Sequence, residues 1–407
     1  MSMEAQAAAM GAERLGPQVD SGRGWVVVGA TVLSTFTLFG VTYSFSAFFS
    51  AMADQFGSGK GATALMFGFT IFFLFVLSLP AGRFADRLGA RPVVLFGAAS
   101  LGLGLLATSV VDSLWLGYVT YGFGVGVGVA CAYVPMVTQV SGWFERRRAV
   151  ALGIAVSGIG LGTLLVPPLA ASLIEDHGWR WTYRVFAVVS VAALLVVAAL
   201  AKRPPQLMGQ APLDLRAVLA RPLFRQLYVA ALLMSLALFV PFVFLAAYAE
   251  DHGIRESTAA TLVSFLGLGS LAGRLVLGLF AGRLGVLRLY VGCFAVLALS
   301  FVLWAVSGGA FGVLAAFAVV MGVAYGGYVA LSPAVMAELF GLAGLGAVLG
   351  ASYTAGGIGG LLGPPLAGWL IDVTGSYMPA ILAAIALASA GTLLLHRAIA
   401  GQRQAKA

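Results

Sequence analysis

Arginine is the side chain best shaped to hold a carboxylate, and one arginine in this 407-residue chain sits where a charge is least expected. Arg274 interrupts the apolar run TAATLVSFLGLGSLAGRLVLGLFA at 258–281, nine residues before Arg283 and the run's basic end. At 1.5 Å per residue the run is long enough to cross a hydrocarbon core of roughly 30 Å. Arg274 then lies about 13 Å from that end, too deep to reach headgroup level with ease. A charge at such depth costs about 3 kcal/mol on insertion scales and normally faces a polar cavity. The chemistry on offer is anion binding, through a planar fork of donors that meets a carboxylate with two parallel hydrogen bonds. The other reading is a structural arginine that caps carbonyls or pairs with a buried acid. No other predicted span carries an acid near mid-depth, so such a partner is hard to find.

A small organic acid held by Arg274 also needs a few polar donors and an apolar wall. Tyr325 and Tyr328 are three residues apart in an apolar stretch and share a helix face. Tyr43, Tyr121 and Tyr133 offer similar phenols from the other half of the chain, and Ser270 lies one turn before Arg274. Ser352, Tyr353 and Thr354 add polarity near the C-terminus. Packing or an interfacial position is the alternative for each tyrosine.

These residues must be positioned by membrane helices. The chain is 61% hydrophobic and only 9% charged, which excludes an ordinary soluble domain, where about a quarter of residues are charged. Apolar runs between charged or Gly/Pro breaks predict about twelve spans, an all-α membrane protein. The expected organisation is a tail at 1–23, a six-helix bundle at 24–201, a linker at 202–225, a second six-helix bundle at 226–399 and a tail at 400–407. Of the 23 Lys and Arg, 18 fall in the tails, the linker and the loops on one side, which predicts that both termini are cytoplasmic in a multi-pass bacterial inner-membrane or plasma-membrane protein. Scattered between spans in this way, the +8 charge gives no patch for nucleic acid. Cys131 and Cys293 lie inside apolar runs and make no metal or redox spacing. His177, His252 and His396 form no cluster with acids or thiols, so no enzyme, metal site or cofactor is expected. The GxGxxG-like string at 121–135 follows no strand, and close helix packing is its better account.

The two halves repeat. PAGRFADRLG at 80–89 matches VLGLFAGRLG at 276–285, an offset of 196, and VPPLAASLIEDHG at 166–178 matches GPPLAGWLIDVTG at 363–375, an offset of 197. The second match pairs Glu175 with Asp372. Two matches at nearly one offset indicate a duplication, and parallel repeats place a transport site near the midplane between the halves.

On these residues the chain resembles the major facilitator superfamily over essentially its whole length. GRFADRLGARPVVL at 82–95 is similar to the superfamily's signature between helices 2 and 3, which implies a cytoplasmic latch built from Gly82, Asp86, Arg87 and Gly89. DSGRGWVVVGATVLSTFTLFGVTYSFSAFF at 20–49 and WFERRRAVALGIAVSGIGLG at 143–162 resemble the monocarboxylate transporter family, related to oxalate–formate antiporters. The resemblance implies that Arg274 is the substrate-binding arginine of helix 8. It also exposes departures. Ser270 stands where animal members carry an aspartate, and Ala47 where they carry a helix 1 lysine, so both groups of the family's proton relay are missing. No Lys or Arg occurs from 342 to 396, whereas two carboxylates on one substrate require a second cation. The expected function is alternating-access transport of a small monocarboxylate such as lactate or pyruvate, coupled to protons, by a monomer in the lipid bilayer. An organic-acid antiporter that also takes dicarboxylates, and a carboxylate-binding membrane sensor, are the alternatives.

Overall fold

The computed structural model describes residues 21–144, 147–202, 215–341 and 345–404, without a few side chains inside helices, Asp86 and Arg148 among them. Stretches 1–20 and 405–407 of the predicted tails, linker residues 203–214, Arg146 and the side chain of the latch residue Asp86 therefore lie outside the described residues. Twelve long helical units follow one another. They are α1 (Gly22–Phe56), α2 (Lys60–Leu88), α3 (Ala90–Thr108), α4 (Leu114–Trp143), α5 (Arg148–His177) and α6 (Trp179–Leu200), then α7 (Pro222–Asp251), α8 (Glu256–Leu284), α9 (Val286–Ala305), α10 (Phe311–Phe340), α11 (Leu345–Thr374) and α12 (Met378–Gln404). A short helix at Leu215–Ala220 precedes α7. No strand occurs among the described residues.

Among the described residues, eleven of these units are long and apolar enough to cross a membrane by length and composition. The other, α11, is 30 residues long. Its glycines at 359 and 363 let it approach the α7 backbone closely.

The duplication is visible in the backbone. The turns that follow α2 and α8 use Gly89 at φ +90° and Gly285 at φ +85°, a conformation closed to most side chains. The first helix of each half is interrupted at mid-length, α1 at Ser44 and α7 at Phe239. In α7 the cause is Pro241, which has no N–H to donate to the Ala237 carbonyl. Across the halves α2 packs on α11 and α5 on α8.

Polar contacts between the halves concentrate at the end of the bundle away from Gly89 and Gly285. Ser50 of α1 donates to the Glu250 carboxylate of α7 at 2.7 Å. Lys60 of α2 pairs with Asp251 of α7 and lies 4.4 Å from the ring centre of Tyr377, whose hydroxyl donates to Asp251 at 2.7 Å. Burial, and then the bond to Asp251, hold the Tyr377 phenol protonated well above its ordinary range.

Arg274 is placed by a close crossing of α8 on α10. Gly269 and Gly273 of α8 face Gly322 and Gly326 of α10, two small-xxx-small pairs that bring the backbones into contact. A Cβ on Gly273 would collide with the Val323 carbonyl, and one on Gly326 with the Ser270 carbonyl. Arg274 and Tyr325 are the chain neighbours of those two glycines, so the crossing sets their separation. Gly326→Ala is therefore expected to cost about 1–3 kcal/mol through overpacking, read as a lower Tm of the purified protein. An unchanged Tm would contradict the close crossing.

Candidate functional site

Arg274 is only 5% exposed. Its Nη1 donates to the Val156 carbonyl of α5, in the opposite half, at 2.6 Å. The carbonyl-capping reading is therefore part of the answer. It leaves Nε and Nη2 buried without any hydrogen-bond partner. The planar guanidinium puts those two donors side by side on one edge, the edge that meets both oxygens of a carboxylate. Buried donors are almost always satisfied, and an orphaned pair on a charged group is costly enough to require a reason.

Beside Arg274 lies a cavity of about 70 Å3 between the two halves. Arg274, Tyr43, Tyr133, Tyr325 and Tyr328 line it together. Tyr43 and Phe39 come from α1, one turn apart, and Tyr133 packs edge-on against Phe39 at 5.1 Å between ring centres. The Tyr43 hydroxyl meets the Tyr325 hydroxyl at 3.1 Å, a bond across the halves, and the Tyr43 ring stacks on Phe242 at 4.4 Å. The Tyr325 ring centre is 5.9 Å from the Arg274 guanidinium carbon, within cation–π range. Tyr328 lines the cavity while packing on Phe294 of α9, at 5.3 Å between ring centres.

Two predicted site residues are placed elsewhere. Tyr121 is fully buried among Phe45 and Tyr183, inside a π-helical stretch of α4 at Tyr118–Val125, and does not line the cavity. Twelve residues separate it from Tyr133, a displacement of up to about 18 Å along the helix axis, which carries it past the cavity. Ser270 is buried behind the α8–α10 crossing, outside the cavity wall, with its hydroxyl unpartnered. Of the predicted latch, Gly82 is half-buried and Arg87 exposed, while Gly89 makes the α2–α3 turn.

The cavity wall also contains Ser235 of α7, Ser332 of α10, and Ser352 and Tyr353 of α11. Ser352 and Tyr353 were legible as polar positions in an apolar span. Ser235 sits alone in the stretch YVAALLMSLALF, and helical periodicity with Leu238 and Phe239 is the one signal that marks its face. The Val156 carbonyl has no signature in residue type. No acid lines the cavity among the described residues.

The Major Facilitator Superfamily matches residues 31–248 and 227–406. The chain is 31% identical to Monocarboxylate transporter 11 of Homo sapiens, over 95% of this chain and 85% of that protein. It is 31% identical to Monocarboxylate transporter 3 of Rattus norvegicus, over 88% and 76%. Among solved structures, the nucleoside transporter NupG superposes with a TM-score of 0.75 at 14% identity, covering 92% of this chain and 99% of that one. A bacterial homologue of the lysosomal transporter Spinster gives 0.67 at 14% identity, covering 94% and 96%. At that identity the structures establish the shared fold, while the sequence relatives establish the kinship. The chain belongs to the Major Facilitator Superfamily and, within it, to the monocarboxylate transporter family.

Proposed function

We propose that this protein moves small monocarboxylates of the lactate and pyruvate kind across the membrane by alternating access, a proton accompanying each anion. The observation that carries this reading is the free Nε–Nη2 edge of Arg274 beside a cavity walled by hydroxyls and aromatic rings. The names of the monocarboxylate transporter relatives support the same substrate class. A cavity of 70 Å3 holds roughly five to seven water-sized positions, which suits an acid of about three carbons. The edge is closed from water in this conformation, with the Tyr325 ring beside it. Entry of the anion and movement of that wall are therefore one event.

Valence follows from charge. One guanidinium balances one carboxylate, and the cavity contains no second cation among the described residues. A dianion would leave a charge buried and unpaired, which costs several kcal/mol. Proton movement follows from the same inventory. Among the described residues no acid lines the cavity and Ser270 stands one turn before Arg274, so the proton that accompanies an arginine-bound anion is carried by a group outside this wall. The positive-inside bias supports a cytoplasmic position for the linker end. One chain works as a monomer, since the cavity draws on both of its halves.

Arg274→Lys is expected to lower uptake by about 10- to 100-fold at normal surface expression, because an ammonium keeps the charge and loses the bidentate edge. Wild-type uptake by that variant would remove Arg274 from the site. In proteoliposomes, an inward proton gradient is expected to drive accumulation of labelled lactate, with little response to an imposed membrane potential. Uptake that follows the potential and ignores the proton gradient would mean anion uniport, and binding without flux would mean a sensor.

A further inference from the structure

The end of the bundle away from the basic loops contains two contacts of one kind, related by the duplication. Asp372, near the C-terminus of α11, lies over the first turn of α2 in the opposite half. Its Oδ1 accepts from the Lys60 backbone N–H and its Oδ2 from that of Gly61, both at 2.9 Å. Glu175, near the C-terminus of α5, does the same to α8, its Oε1 accepting from the Ser257 backbone N–H at 3.1 Å. Asp372 and Glu175 are repeat mates at an offset of 197, and Gly61 and Ser257 at 196. Each half thus places a carboxylate on the helix N-terminus of the other, where unsatisfied N–H groups and the positive end of the macrodipole favour an anion.

The fit at α2 is close. A Cβ on Gly59 would sit 2.6 Å from Asp372 Oδ2, and one on Gly61 would sit 2.8 Å from the Trp369 backbone nitrogen. The backbone clash at Gly61 means that α2 approaches α11 this closely only with glycine there, and a side chain at Gly59 would displace the Asp372 carboxylate. The α8 contact is weaker. It is a single hydrogen bond, and Glu256, the first residue of α8, sets a second carboxylate against Glu175.

We propose that Asp372 and Glu175 are paired clamps that hold this end of the transporter shut, and that opening it requires both carboxylates to leave the helix N-termini they cap. Asp372 is the stronger of the two. The contact geometry stands independently of which substrate is carried.

The test uses the full chain in lipid nanodiscs without substrate, in a Cys131→Ala, Cys293→Ala background. Spin labels go on Ser113→Cys and Val306→Cys, exposed positions at this end in the N-terminal and C-terminal halves. Double electron–electron resonance reads the separation of the halves. Asp372→Ala is expected to raise the ratio of the long-distance to the short-distance population on the order of tenfold. Glu175→Ala is expected to raise it less, and the double variant most. Asp372→Asn keeps an acceptor oxygen without the charge and is expected to fall between parent and Asp372→Ala, which separates the helix-end electrostatics from loss of contact. Every variant is compared at matched thermal unfolding, so a misfolded sample is identified and excluded. A double variant whose distance distribution coincides with the parent's would overturn the proposal. Because no substrate enters the measurement, that result would leave the anion site untouched.

Discussion

A guanidinium sealed in the middle of a membrane bundle, with one edge unpaired, is the constraint to which the rest of this structure answers. Removing an ion from water costs several kcal/mol even after the protein relaxes. A single bond to the Val156 carbonyl returns only part of that. Under the proposed function the missing partner arrives as cargo, which makes the deficit tolerable. An anion that pairs with the Nε–Nη2 edge is then favoured by relief of an existing penalty as well as by the new bonds. The tether to Val156 ties α8 to α5, so the charged group sits on the seam that alternating access must work.

Geometry around the arginine is supplied by residues with little or no side chain. The α8–α10 crossing depends on glycines, and Arg274 and Tyr325 take their places as neighbours of Gly273 and Gly326. In lipid there is no hydrophobic drive between helices, so close van der Waals approach carries the packing. A binding group set on such a crossing is fixed by backbone rather than by rotamer. That suits a site which must hold its shape while the two halves move.

Much of this was legible in the sequence because lipid imposes simple rules. Long apolar runs fixed the spans, and a lone charge inside one marked Arg274. Tyr325 and Tyr328 could be paired by their spacing. Tyr121 shares its residue type with the cavity tyrosines, but it lies twelve residues along α4 from Tyr133, and the π-helical stretch around it has no signature in residue type. Ser270 looked attractive from its distance to Arg274, yet the α10 backbone covers that side. The contacts of Asp372 and Glu175 were hidden for another reason. Their partners are backbone N–H groups 312 and 82 residues away, and a backbone donor leaves no trace in residue type. The duplication was visible, but its consequence at the bundle end needed coordinates. The repeat is also broken where function enters, since the mate of Arg274 at an offset of 196 is Ser78. The two similar halves therefore differ at this position, and the buried arginine belongs to one of them.

The most direct measurement is an experimental structure of the protein with a short monocarboxylate bound, pyruvate being small enough for the cavity. The account predicts both carboxylate oxygens on Nε and Nη2 of Arg274, within about 2.7–2.9 Å, with Nη1 still on the Val156 carbonyl. A carboxylate bound away from Arg274, or reached only through Nη1 after that tether breaks, would contradict it.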